Sequence, residues 1–124
     1  MKHTAWIAAA VVACPLLAAS ARAQDSMVVA PQFHKVLIDN DKVRVLEVTL
    51  KPGDKIPMHS HPGGYVSIPL GPAKARFTTA DGKSVDSEMK PGEARWSDPV
   101  THSAENTGTA ETKVIVVELK VPKK

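Results

Sequence analysis

The chain is poor in cysteine, in aromatic residues and in long apolar runs. Each shortage excludes something. Cys14 is the single cysteine of 124 residues, so no internal disulfide framework is available to the fold. The apolar run from Ala5 to Ala19 falls short of the about 20 residues that a permanent membrane-spanning helix needs. Phe, Trp and Tyr make up 4% of the residues and are not interleaved with a Lys/Arg cluster, so nucleic acid is not an indicated partner. Beyond the first two dozen positions no segment carries a sustained helical apolar period, which argues against a helical domain.

The first 23 residues read as a processing segment. Met1-Lys2-His3 is a short basic start, the apolar run follows, and Ala21-Arg22-Ala23 supplies small residues where a signal peptidase reads. A secretory signal covering residues 1–23, cleaved between Ala23 and Gln24, is expected, with a periplasmic or secreted product and no stable membrane anchor afterwards. Val11-Val12-Ala13-Cys14 loosely resembles a lipoprotein processing site, but the apolar run continues past Cys14 to a better cleavage site. Cleavage removes Lys2 and Arg22 and no acidic residue, so the formal charge falls from +3 to about +1. About 100 residues remain, enough for one domain.

Those residues alternate short β-branched runs with turn residues, the mark of an all-β sandwich or barrel. Strands are expected at Lys35 to Ile38, Val43 to Leu50, Ile56 to His61, Tyr65 to Leu70, Ala73 to Thr79, Ser84 to Met89, Ala94 to Trp96, Thr101 to Asn106 and Thr112 to Lys120. Asp39-Asn40-Asp41 reads as a tight turn, and Asp81-Gly82 as a type I′ hairpin turn. Lys51-Pro52-Gly53-Asp54 recurs as Lys90-Pro91-Gly92-Glu93, and each copy fits a type II turn with glycine at the position of positive φ. Residues 24–33 read as an extended arm that could pair with a partner subunit in a homodimer, and residues 121–124 as a solvated tail.

Histidine is where these patterns converge. His59 and His61 are two residues apart in a strand, so their side chains project to one face, about 6.7 Å apart along the backbone. His102 stands in a later strand, after the second Pro-Gly turn. Two imidazoles from one strand and one from a neighbour can share a single transition-metal ion.

These residues resemble the cupin family, small double-stranded β-helix or jelly-roll barrels, and look closest to small single-domain bacterial members of the RmlC-like type. The first cupin motif is matched by Gly53, His59, His61 and Gly71; the second by Gly92, His102 and Asn106. The resemblance covers residues 34 to 120 and implies metal binding by His59, His61 and His102. The glutamate that family members often use as a fourth ligand is missing: its slot falls on Gly64, Tyr65 or Val66, and the adjacent Gly63-Gly64 indicates a remodelled loop.

Three neutral imidazoles leave a divalent ion its full charge and an open position, which favours anionic ligands and acidifies bound water. The ion expected is one of Fe, Zn, Mn, Ni or Cu. An oxygenase, or a metal-assisted lyase or isomerase, acting on a small anionic metabolite is the enzymatic expectation. A non-catalytic small-molecule or sugar-binding module, or a periplasmic metal-handling protein, is the alternative. Tyr65, Ser67 and Arg76 are candidate pocket residues, and Arg95 a further carboxylate clamp. Trp96 reads as core or subunit interface and Asn106 as a residue that secures the turn after the His102 strand and orients it, while His34, without a spaced partner, stays outside the expected site.

Overall fold

The computed structural model describes residues 24–122, so the expected signal segment lies outside the described residues. Nine strands form two sheets: β1 (His34–Asp39), β2 (Val43–Leu50), β3 (Lys55–His61), β4 (Tyr65–Pro69), β5 (Ala73–Thr79), β6 (Ser84–Met89), β7 (Arg95–Ser97), β8 (Val100–Asn106) and β9 (Thr112–Leu119). One sheet has the order β1-β2-β9-β4-β7 and the other β3-β8-β5-β6, and every strand pairing is antiparallel. Apart from the β1–β2 and β5–β6 hairpins, successive strands cross between the sheets, giving the all-β double-stranded β-helix that the cupin resemblance implies.

Alternation fixes the inner faces. Leu46, Val48 and Leu50 of β2 are buried, with Ile56, Tyr65, Ala104 and Val116 from other strands, in one core cluster. The two Pro-Gly turns are near-duplicates. Gly53 and Gly92 take φ values of 83° and 76°, and Asp54 and Glu93 each donate a backbone N–H to the lysine carbonyl three residues back, at 3.0 Å. In each turn the acidic side chain accepts from that same lysine's N–H, Asp54 at 2.8 Å and Glu93 at 2.9 Å.

Two local expectations fail. The Asp81-Gly82 hairpin is not type I′, because Asp81 keeps a negative φ; the Gly82 N–H closes a tight turn on the Thr79 carbonyl at 2.9 Å and Gly82 alone is left-handed. That is the three-residue hairpin loop, whose glycine absorbs the strand twist. Residues 24–33 are also not extended. Asp25 caps a short helix, α1 (Ser26–Val29), by accepting the Met27 N–H at 2.8 Å, and a 3₁₀ turn follows at Pro31–Phe33. The segment folds onto β3 with Ala30 fully buried, since Met27, Val29 and Phe33 gain more by packing on the core than by solvation.

Candidate metal centre

A bulge in β3 sets the site. Ile56 pairs with Ala104 and His59 with His102, so three steps on β3 match two on β8. The extra residue reverses the alternation at Pro57 and Met58, both exposed, and lets Ile56 and His59 face the same interior. Proline suits the bulge because it has no ladder N–H to lose. Its carbonyl is put to use: the His59 Nδ1–H donates to Pro57 O at 2.7 Å. That bond leaves the His59 Nε2 lone pair free.

His61, two residues on, returns to the same face. Its Nδ1–H donates to the Glu118 carboxylate at 3.0 Å, again freeing Nε2. His102, directly across the ladder from His59, is steadied by the Phe77 ring stacked on it at 5.1 Å. The three rings lie 4.8 to 5.2 Å apart between centroids, and their candidate ligand atoms all fall within 4.8 Å of one another. All three are more than nine-tenths buried. Tetrahedral coordination at metal–nitrogen bonds of 2.0–2.1 Å sets ligand nitrogens about 3.3 Å apart, so modest side-chain rotation closes the set on an ion.

Two of the donors, His59 and His102, are in the protonation state that a metal needs. Burial, reinforced by the neighbouring imidazoles, pushes His59 down to about 4 and His102 to about 3, so both are neutral near pH 7. Glu118 is buried, which alone would raise its pKa. The His61 hydrogen bond and the Arg44 guanidinium outweigh that and hold it below the ordinary carboxylate range. Arg44 reaches Glu118 Oε2 at 2.7 Å and Asp25 at 2.8 Å, which ties the N-terminal segment to the rear of the site. Three clustered imidazoles, two of them anchored from behind through Nδ1, fit a borderline transition-metal ion.

The expected pocket residues part company here. The trio opens into a cavity of about 100 Å³ with mostly apolar walls, Leu46, Val48, Ile56 and Val116 among them. Tyr65 and Ser67 both line it, and the Tyr65 ring lies 4.2 Å from His61. Burial raises the Tyr65 pKa, so its phenol stays protonated. Arg76 does not join them. Ala73, Ala75 and Phe77 take the inner parity of β5, and Arg76 points outward into an ion pair with Asp86 at 2.8 Å. Arg95 lines a wider mouth of about 470 Å³ that also reaches His102. Its guanidinium is spent on Glu93, Ser87 and the Glu88 carbonyl. Trp96 is not core; it is half exposed at that mouth and donates to Asp98 at 2.9 Å.

Asn106 is buried and hydrogen-bonds the Leu50 and Ala110 carbonyls and the Gly108 N–H, each at 2.9 Å. It secures the turn after the His102 strand, as expected, by fastening the β8–β9 turn to the end of β2, and it hydrogen-bonds none of the site histidines directly. The loop after His61 is as tight as its glycines suggest: a Cβ at Gly63 would collide with the Leu119 carbonyl. Tyr65 then fills the inner position where a carboxylate is absent.

Sequence reasoning passed over four residues. His34 lines the cavity, held by its Nδ1–H on the Ala30 carbonyl at 2.7 Å, and Ser26 of α1 lines it too. Ser26 comes from the segment read as an extended arm, and His34 opens β1 directly after it. Arg44 and Glu118 carried a usable signal. Each sits at the inner parity of a strand whose other inner residues are uncharged: Leu46, Val48 and Leu50 in β2, Thr112, Val114 and Val116 in β9.

Neither a protein-family model nor a curated protein matches the chain. Solved structures do. A cupin domain from Bordetella pertussis Tohama I is 29% identical with a TM-score of 0.65, over 71% of this chain and 92% of that one. An RmlC-like cupin family protein with a double-stranded β-helix fold from Methanocaldococcus jannaschii is 18% identical with a TM-score of 0.57, over 69% and 79%. A cupin superfamily protein from Desulfitobacterium hafniense DCB-2 is 17% identical with a TM-score of 0.55, over 71% and 76%. With its double-stranded β-helix and three clustered histidines, the chain has the fold of these small cupin-domain proteins.

Proposed function

We propose that this chain is an exported cupin that holds one divalent transition metal on His59, His61 and His102 and presents it to a small molecule in the barrel. The observation that carries the reading is the trio itself: three buried histidines with donor atoms within 4.8 Å, two of them anchored through Nδ1. A bound ion would supply Lewis acidity or oxygen activation at its open positions. The protein's own part is to hold three neutral donors, exclude bulk water and orient the ligand between Tyr65 and Ser67. A net positive centre within low-dielectric walls selects an anionic group on that ligand. The cavity suits a compact molecule, of the order of a single small ring.

The cavity around the trio is mostly apolar, with the Tyr65 and Ser67 hydroxyls and the His34 imidazole among its polar groups, and the Glu118 carboxylate is committed to His61 and Arg44. Chemistry drawn from the metal, as in an oxygenase, asks least of this lining; a lyase or isomerase would need a separate base, and His34, its Nδ1 held by the Ala30 carbonyl, offers one through Nε2. The same lining favours a second reading, capture of a small molecule without turnover.

The test is metal content. The full chain, expressed with export intact and recovered from the periplasm, should begin at Gln24 by intact mass and carry close to one equivalent of transition metal. His59→Ala should carry almost none. Equal and negligible metal in both proteins would refute the metal centre, and a product retaining residues 1–23 would refute export.

A further inference from the structure

Resting on the metal-binding reading above, we infer that Glu118 supplies the carboxylate that this centre lacks in the loop after His61, acting through the His61 ring while Arg44 holds it in place. The loop offers no acid, and Tyr65 fills the inner position there. Glu118 arrives from β9 in the opposite sheet, nine-tenths buried.

Its two oxygens are divided. Oε2 takes Arg44, through Nε and a terminal nitrogen, both at 2.7 Å. Oε1 is turned to His61 Nδ1 at 3.0 Å. An acid that served only Arg44 could present both oxygens to the guanidinium fork, the stronger geometry for that pair. Arg44 also has a second acid, Asp25, at 2.8 Å. A buried carboxylate beside Val114 and Val116 carries a desolvation penalty that an aliphatic residue would avoid. Its placement is explained by what lies behind the ring it touches. A carboxylate accepting an imidazole N–H fixes the tautomer, orients the ring and raises the basicity of the far nitrogen. The ion's charge is then faced by three neutral rings and one anion a ring-width away. Glu118 is thus a positioning residue, coupled to the ion through His61.

The test is Co(II) titration of the metal-free full chain, read by its visible ligand-field bands, with long-range ¹H–¹⁵N spectra of the histidine rings. Wild type should bind one equivalent. In the metal-free protein, His61 should carry its proton on Nδ1. Glu118→Gln keeps shape and an acceptor oxygen but removes the charge. It should bind Co(II) about 10- to 100-fold more weakly with shifted bands. Unchanged affinity and bands in Glu118→Gln, or a proton on Nε2 of His61 in wild type, overturns the inference. The tautomer is read on wild type, so it decides the matter even if the variant does not fold. Failure of wild type to bind Co(II), with the Nδ1–H tautomer present, would instead count against the metal reading.

Discussion

The two sheets give the centre unlike things. The β3-β8-β5-β6 sheet contributes all three imidazoles and Phe77, with no buried charge among its inward residues near the trio. The β1-β2-β9-β4-β7 sheet contributes most of the aliphatic core, and also Arg44 and Glu118, paired in register at one end of the β2–β9 ladder. Donors sit on one wall and countercharge on the other. The centre is complete only when the walls are packed, which makes barrel closure a condition of its chemistry.

That contrast can be broken from either side. The largest effect should come from the donor wall: His102→Ala removes one of three ligands and should abolish stoichiometric metal binding, measured by titration, while far-UV circular dichroism still shows a β fold. Next, Leu46→Ala on the opposite wall truncates the largest fully buried side chain and should cost about 2–5 kcal/mol in chemical denaturation of the metal-free protein. A loss below 1 kcal/mol would mean that the aliphatic wall is not the principal source of stability.

Acid should separate the walls by titration. In the folded, metal-free protein His59 and His102 sit at about 4 and about 3, below the ordinary 6.5. Between those values and 6.5 the unfolded chain binds more protons than the folded one, so stability falls as pH drops through that window. The expected loss is about 2 kcal/mol per histidine at pH 5 relative to pH 7, measured by denaturant midpoints. His59→Ala should flatten the profile. The smallest effect belongs to Arg76→Ala, on the outer face of β5, which should change neither metal affinity nor the unfolding midpoint detectably.

Much of this architecture was legible because alternation and turn chemistry are local. Strand positions and the shared face of His59 and His61 follow from spacing two residues apart, and the duplicated turns from Pro-Gly itself. The site was less legible wherever that period is interrupted or a partner lies far along the chain. Ile56 and His59, three residues apart, share a face only because the bulge at Pro57 and Met58 resets the count. Arg76 was misassigned although parity with Phe77 already placed it outside. Glu118 was overlooked because its partner, His61, is 57 residues earlier, yet a lone acid on the inner row of β9 marked it. The N-terminal segment gave no periodic signal; its helix depends on the Asp25 cap and on docking against β3.

The most direct measurement is X-ray absorption at the metal edge of the Zn-loaded full chain. Fine structure showing three imidazoles, with nitrogen at about 2.0–2.1 Å and the outer-ring scattering that marks histidine, is the result this account predicts. One imidazole or none in that shell would contradict it.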